Sequence, residues 1–494
     1  MTWAHQSIPS DIWSPYRVHL VKKIAKRALL VFALLFTINI ALISWSAAHL
    51  WNSYKNIPDR PLTKSEAEDI GNTLGNDVDD LYRYLSIPPF KQAAELAGLR
   101  IFDTKDEIRF AARNFPIFAG FDKTKRYMIS FQNSAEARGT GGILGAYAIV
   151  EVNRAHVKVI KASSNLGLAS ISNLPIKHSD EYFALYGNNP GIWQNANLSP
   201  HFPYGAKNYL ELWRLQTGEN LDGVVATDPV ALSYLLKAIG TVQLPDGYQI
   251  NSENLVEDTL KTAYKRYEND NLARKEFLVT IMKATFERLL AHDFNPRKIP
   301  SALSRAIQEN RLLFYSTSLQ VEKELEMNRL GGSLREQADN QYRVVIQNTD
   351  ASKLDYYLDR DVKVESIQCS PTKTTQVTIY LKNKVVNAQD LPAYVLTRAD
   401  KGKPKNLVTG QHRFKVFVYG PYGSTLVGGS LGSGKNGNAK SASERGRPLF
   451  IEDIDLTPDG SEVVVAQFNG GIGKISYVDQ PLVRPTIIKT IDKC

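Results

Sequence analysis

The chain has 494 residues, 43% hydrophobic and 22% charged, with a net charge of +9, which is a globular composition with room for two or three cores. Two cysteines exclude a disulfide scaffold, and eight scattered histidines show no zinc-ligand spacing. With the bulk of the chain outside a membrane, as the next segment indicates, the basic balance points to lipid phosphates, pyrophosphate-linked lipids or anionic wall polymers rather than nucleic acid; a basic surface with no partner is an equal alternative.

Residues 28–50, ALLVFALLFTINIALISWSAAHL, are long and apolar enough to span a bilayer. Arg17, Lys22, Lys23, Lys26 and Arg27 precede them, so the positive-inside rule places the N-terminus in the cytoplasm and the rest outside. The run is longer than a cleaved signal usually is, and Ser46-Ala47-Ala48 is only a fair cleavage site. The expectation is a single-pass signal anchor in the cell membrane.

Thr63 and Glu66 form a capping-box pattern that opens a helix to about Leu85. Further helices are expected at 90–99 and 104–114. Strands follow at 126–131, 145–153 and 157–162, with a loop, QNSAEARGTGG, between the first two. A helix is expected at 206–217, a strand at 222–226, and a helix opened by Asp228-Pro229 and closed by Gly240. After a short strand at 242–244, a long helical region runs from 252 to 330, broken near 295–296. From Tyr342 onward, short alternating segments read as an antiparallel β-sandwich. The expected organisation is a cytoplasmic basic segment (1–27), the anchor (28–50), a helical stalk or collar (51–119), an α/β ligand-binding domain (120–335) and a β-sandwich-like domain (340–494).

Three segments carry candidate chemistry. The 132–142 loop holds Asn133, Glu136, Arg138, Gly141 and Gly142; glycines admit a ligand close to the backbone, and arginine offers a planar fork to phosphate. A solvated hairpin turn is its plainer reading. In 264–275, Arg266 and Arg274 are eight residues apart and would share a helix face, with Lys275 beside them; an ordinary charged surface is the alternative. Trp193, Asn195 and Asn197 suit sugar binding, or equally the capping of the next helix. Within 423–438, near-matches to a Walker A loop and to a nucleophile elbow lack the required flanking elements, so a flexible surface loop is expected there. Cys369 and Cys494 form one bridge or stay free; the sequence leaves both open.

The stretches RYMISFQNSAEARGTGG (126–142), 193–203, DGVVATDPVALSYLL (222–236) and NTDASKLDYYLDR (348–360) resemble the bacterial family called Domain of Unknown Function 4012, over roughly residues 60–480. More distantly, the order of elements is similar to the LytR–CpsA–Psr cell-envelope family, whose members transfer phosphate-linked glycopolymers from a polyprenyl pyrophosphate carrier to the cell wall with magnesium. That resemblance implies a mixed sheet with flanking helices. It implies that Arg138, Arg266 and Arg274 hold the pyrophosphate, and that Glu136 or Asp228 holds magnesium or accepts a proton. Two departures stand out: 163–167 lacks the family's Arg-Asp pair, and 240–242 keeps one of two glycines. The expected function is an extracytoplasmic envelope protein that binds a polyprenyl-phosphate or glycopolymer, with transfer to the wall as its chemistry. The alternative is a non-catalytic scaffold for envelope proteins or wall polymer.

Overall fold

The structure is a computed structural model. It describes residues 40–88, 90–92, 104–187, 190–291, 294, 298–396, 408–434 and 439–494. The basic segment and most of the apolar run lie outside these residues, as does most of the helix expected at 90–99. Residues 40–55 are helical. Among the described residues, no helix is long and apolar enough to cross a membrane.

Residues 1–116 and 117–494 form two compact units. In the first, helix α1 (Lys64–Leu85) begins at the expected capping box: Thr63 Oγ1 accepts from the Glu66 N–H at 3.3 Å, and Glu66 Oε2 accepts from the Thr63 N–H at 2.8 Å. Its buried stripe includes Ala67, Leu74, Val78 and Tyr82. Helix α2 (Lys105–Phe118) approaches at Gly71, where a Cβ would lie 1.9 Å from the Arg113 carbonyl oxygen.

The second unit opens with a mixed sheet. Strand β1 (Lys125–Arg138) pairs antiparallel with β2 (Gly141–Asn153), and β2 with β3 (His156–Ser164). On its other side β1 runs parallel to β4 (Gly223–Thr227). A two-stranded ribbon, β5 (Val242–Gln243) and β6 (Gln249–Ile250), stands apart. Strand β7 (Leu313–Ser316) completes the order β3-β2-β1-β4-β7. The flanking helices are α3 (Asp180–Tyr186), α4 (Phe202–Thr217), α5 (Pro229–Ile239), α6 (255–266), α7 (Asn271–Leu290), α8 (Ile299–Gln308) and α9 (Leu319–Glu326). Side chains alternate across β1. Met128 packs with Tyr209, Leu212 and Trp213 of α4, whereas Phe131 meets Phe286 of α7 edge-on. Helices α5 to α8 share a core of Leu236, Ile239, Leu255, Phe277, Ile281 and Ala302.

The remaining strands are β8 (Gln341–Asn348), β9 (Leu358–Gln368), β10 (Thr374–Asn383), β11 (His412–Tyr419), β12 (Thr425–Leu431), β13 (Lys440–Glu444), β14 (Arg447–Leu456), β15 (Ser461–Asn469), β16 (Ser476–Val478) and β17 (Ile487–Ile491). They form two sheets, β12-β15-β10-β9-β17 and β13-β14-β11-β8-β16. Both contribute to one core, in which Val344, Ile346, Phe414 and Val416 meet Val362, Val377, Ile379 and Val464. Ala137 of β1 belongs to the same core. A disulfide joins Cys369 to Cys494.

Four local expectations are corrected. The 132–142 loop is instead the tip of the β1–β2 hairpin, with the ladder continuing to Arg138 and Gly141 across register shifts. It is buried because the C-terminal sheets cover it. The long helical region is interrupted after Gln308, where 313–316 turns into β7, and resumes in α9; four residues, LFYS, are too short for periodicity to reveal. Helix α6 ends at Arg266, and Asp270 caps a new helix by accepting from the Ala273 N–H at 2.8 Å. Arg266 and Arg274 therefore belong to different helices. Finally, Gly428, Gly429 and Ser430 lie in β12, paired with β15, not in a free loop.

Candidate functional site

A narrow pocket of about 50 Å³ lies between the sheet and the helices. Its walls are Phe131, Gly145 and Ala146 from the hairpin, Pro229 and Leu232 from α5, Leu255 and Leu260 from α6, and Leu278, Ile281 and Met282 from α7. Gln132, Asn133 and Thr259 are its polar edge. Helix α6 contains a π turn at Asp258–Thr262, which contributes Thr259 and Leu260 to the wall; such turns recur at functional sites.

Basic groups gather beside Asn133 and Gly145. Asn133 donates to Tyr264 Oη at 2.7 Å. The Arg274 guanidinium lies 4.5 Å from the Tyr264 ring and 4.8 Å from the Tyr394 ring, and it donates to Asn271 Oδ1. Lys275 Nζ donates to Asn165 Oδ1 at 2.6 Å and to the Gly145 carbonyl at 3.4 Å. Both cations are buried, and neither forms an ion pair with a carboxylate among the described residues. Burial, reinforced by Arg274 and Lys353 and opposed by Glu136, pushes the Lys275 ammonium down to about 7.

Glu136 sits next to these groups. Its Oε1 accepts from Arg138 Nη2 at 2.8 Å, and its Oε2 from Lys353 Nζ. Burial alone would raise this carboxyl, but Lys353 and Arg138 outweigh it and hold it below the usual range. Arg138 also donates to the carbonyls of Gln194 (3.0 Å), Ala137 (2.8 Å) and Asn348 (3.3 Å). Asp355 accepts from the Ala137 N–H at 2.9 Å and from Asn348 Nδ2 at 2.7 Å, and faces His412 Nε2 at 3.2 Å. One carboxylate, Glu136, thus shares a buried cluster with Arg138, Lys353, Arg274 and Lys275.

Comparison with known proteins bears on residues at the centre of this arrangement. Residues 122–264 match the family described as "Protein of unknown function (DUF4012)". The chain carries a DUF4012 domain. No curated protein matches the chain. Among solved structures, the Lin1025 protein of Listeria innocua is similar over 45% of this chain and 85% of its own, at 9% identity and a TM-score of 0.23. A Legionella pneumophila protein named as a candidate nutrient-binding protein is similar over 28% of this chain and 48% of its own, at 5% identity and a TM-score of 0.17. These scores carry no argument about fold or function.

The DUF4012 domain contains Asn133, Glu136 and Arg138, while Arg274, Lys275 and Lys353 lie beyond its matched residues. The other sequence candidates take separate places. Arg266 stacks on Tyr248 at 4.5 Å. Asp228 caps α5 by accepting from the Ala231 N–H at 2.7 Å and pairs with Arg311 at 2.5 Å. Trp193 is buried against Tyr209 and donates to the Ala169 carbonyl. Asn195 is half-buried in a 3-10 turn. Asn197 pins the hairpin tip through Thr140 Oγ1 (2.8 Å) and the Gly142 carbonyl (2.9 Å). Gly141 has φ +132°, and a Cβ on Gly142 would lie 2.1 Å from the Asn133 carbonyl oxygen, so the tip demands both glycines.

The carboxylates considered for magnesium do not fit it in this arrangement. Both oxygens of Glu136 are taken by cations, and those of Asp228 by a backbone N–H and Arg311. Among the described residues, no three His, Cys, Asp or Glu side chains converge on a metal position. Sequence reasoning missed Lys353, Tyr264, Tyr394 and Asn165. For Lys353 a signal existed, because it lies in the NTDASK stretch that carried the family resemblance.

Proposed function

We propose that the DUF4012 domain, with α7 and the Lys353 segment, binds a polyprenyl-phosphate or the phosphate-linked end of a glycopolymer. The pocket takes the apolar chain, and Arg274 and Lys275 take the phosphate. The observation that carries this reading is the pair of buried cations beside an apolar pocket, neither of them ion-paired with a carboxylate among the described residues. Glu136 offsets this buried positive charge only in part, because Arg138 and Lys353 hold both its oxygens; a bound anion offsets more of it, and an apolar tail fills the adjoining wall. The similarity in element order to the LytR–CpsA–Psr family supports the same ligand class. The expected signal anchor would hold the pocket at the outer face of a membrane, within reach of such lipids.

The reading is one of binding without transfer. Where the resembled family has its Arg-Asp pair, this chain supplies Asn165, which serves Lys275 and the Leu144 carbonyl. Glu136 and Asp228, the two candidate bases, are tied up in ion pairs. Calorimetric titration of the full chain in detergent with geranyl pyrophosphate tests the site. Arg274→Ala and Lys275→Met are each expected to weaken binding by about tenfold or more; unchanged affinity in both variants refutes the assignment.

A further inference from the structure

Glu136 is a buried anion held by two cations, Arg138 and Lys353. Glu136 is 3% exposed, so solvent does little to stabilise its charge. Arg138 holds one oxygen from its own strand, and Lys353 holds the other from the segment between β8 and β9. Arg274 of α7 and Lys353 face the same Tyr394 ring, at 4.8 Å and 5.1 Å, and Lys275 follows Arg274 on α7; the Glu136 charge favours the Lys275 ammonium, whereas Arg274 and Lys353 oppose it. A head group arriving at Arg274 and Lys275 therefore enters a cation cluster already partly filled by a tethered carboxylate.

The geometry points to Glu136 as a built-in competitor that sets the charge a ligand must carry, an inference that rests on the lipid-phosphate reading above. A head with a single negative charge gains little by exchanging with Glu136, since one anion replaces another and a buried carboxylate is left unpaired. A phosphate monoester or pyrophosphate brings two or more charges. It engages Arg274 and Lys275 and still draws Lys353 or Arg138 away from Glu136. Specificity then comes from the unfavourable exchange imposed on singly charged lipids as much as from attraction to the right ligand. No bond is made or broken; the event is an exchange of ion pairs.

The test compares two ten-carbon ligands on the full chain in detergent, geranyl pyrophosphate and decanoate, in the wild type and in Glu136→Gln. The wild type is expected to prefer geranyl pyrophosphate by about tenfold or more, and Glu136→Gln to gain about tenfold for decanoate, which narrows the preference. Geranyl pyrophosphate binding with no gain for decanoate in a folded Glu136→Gln variant overturns the competitor role and leaves the lipid-phosphate reading standing. If neither ligand binds either protein, both fall. Should Glu136→Gln not fold, equal affinity of the two ligands for the wild type overturns the inference on its own.

Discussion

Lys275 shows how a single side chain reports on the site. Its folded ammonium loses the proton near pH 7, against 10.5 in the unfolded chain, chiefly because it is buried. Between those values the unfolded state binds more protons, so stability rises with pH across that window. The destabilisation is complete below about pH 7 and absent above about pH 10.5. Lys275→Met removes it, and the thermal midpoint of this variant is expected to rise at pH 6 and to change little at pH 10.5, while lipid binding falls. A lower midpoint at pH 6 would make Lys275 a structural residue rather than a ligand-binding one. The sequence displayed Arg274 and Lys275 as charges in YKRYENDNLARK, but a charged surface and a buried cation pair look the same there. What distinguishes them is their burial, with no direct ion pair to a carboxylate among the described residues, a property of tertiary packing.

At the scale of elements, signals confined to one turn were legible. The capping box of α1 and the Asp228-Pro229 start and Gly240 end of α5 depend on neighbours a few residues away, and each sits where its residues indicate. In sequence the β1–β2 tip is compatible with both a ligand-binding loop and a solvated hairpin turn, because glycine-rich turns are common; its burial comes from sheets more than 200 residues later. Strand β12 was hidden in the same way, its glycines masking a ladder that only β15 completes. The close approach at Gly142 gives a direct check. Gly142→Ala drives a Cβ into the Asn133 carbonyl and the adjacent backbone. It is expected to destabilise the protein by about 2–4 kcal/mol in urea unfolding, the range of a severe steric substitution. A loss below the usual scatter of surface substitutions would mean that the tip relaxes freely.

Across the whole second unit, the candidate site draws on both the mixed sheet and the C-terminal sheets. Glu136, Arg138 and Asn133 come from β1, and Arg274 and Lys275 from α7. Lys353, Asp355 and Tyr394 come from beyond residue 340. Composition and alternation indicated both an α/β region and a β-rich region, and the mixed α/β architecture with several sheets follows that outline. Neither indicated that a lysine from the second region would close an ion pair in the first, because contacts 217 residues apart leave no local pattern. The measurement that tests the central claim most directly is mass spectrometry of lipids that co-purify with the full chain from a Gram-positive host, run beside an Arg274→Ala, Lys275→Met double variant. The account predicts a polyprenyl phosphate or pyrophosphate on the wild type and none on the double variant. A wild type free of phosphorylated lipid, or a double variant that retains it equally, would contradict it.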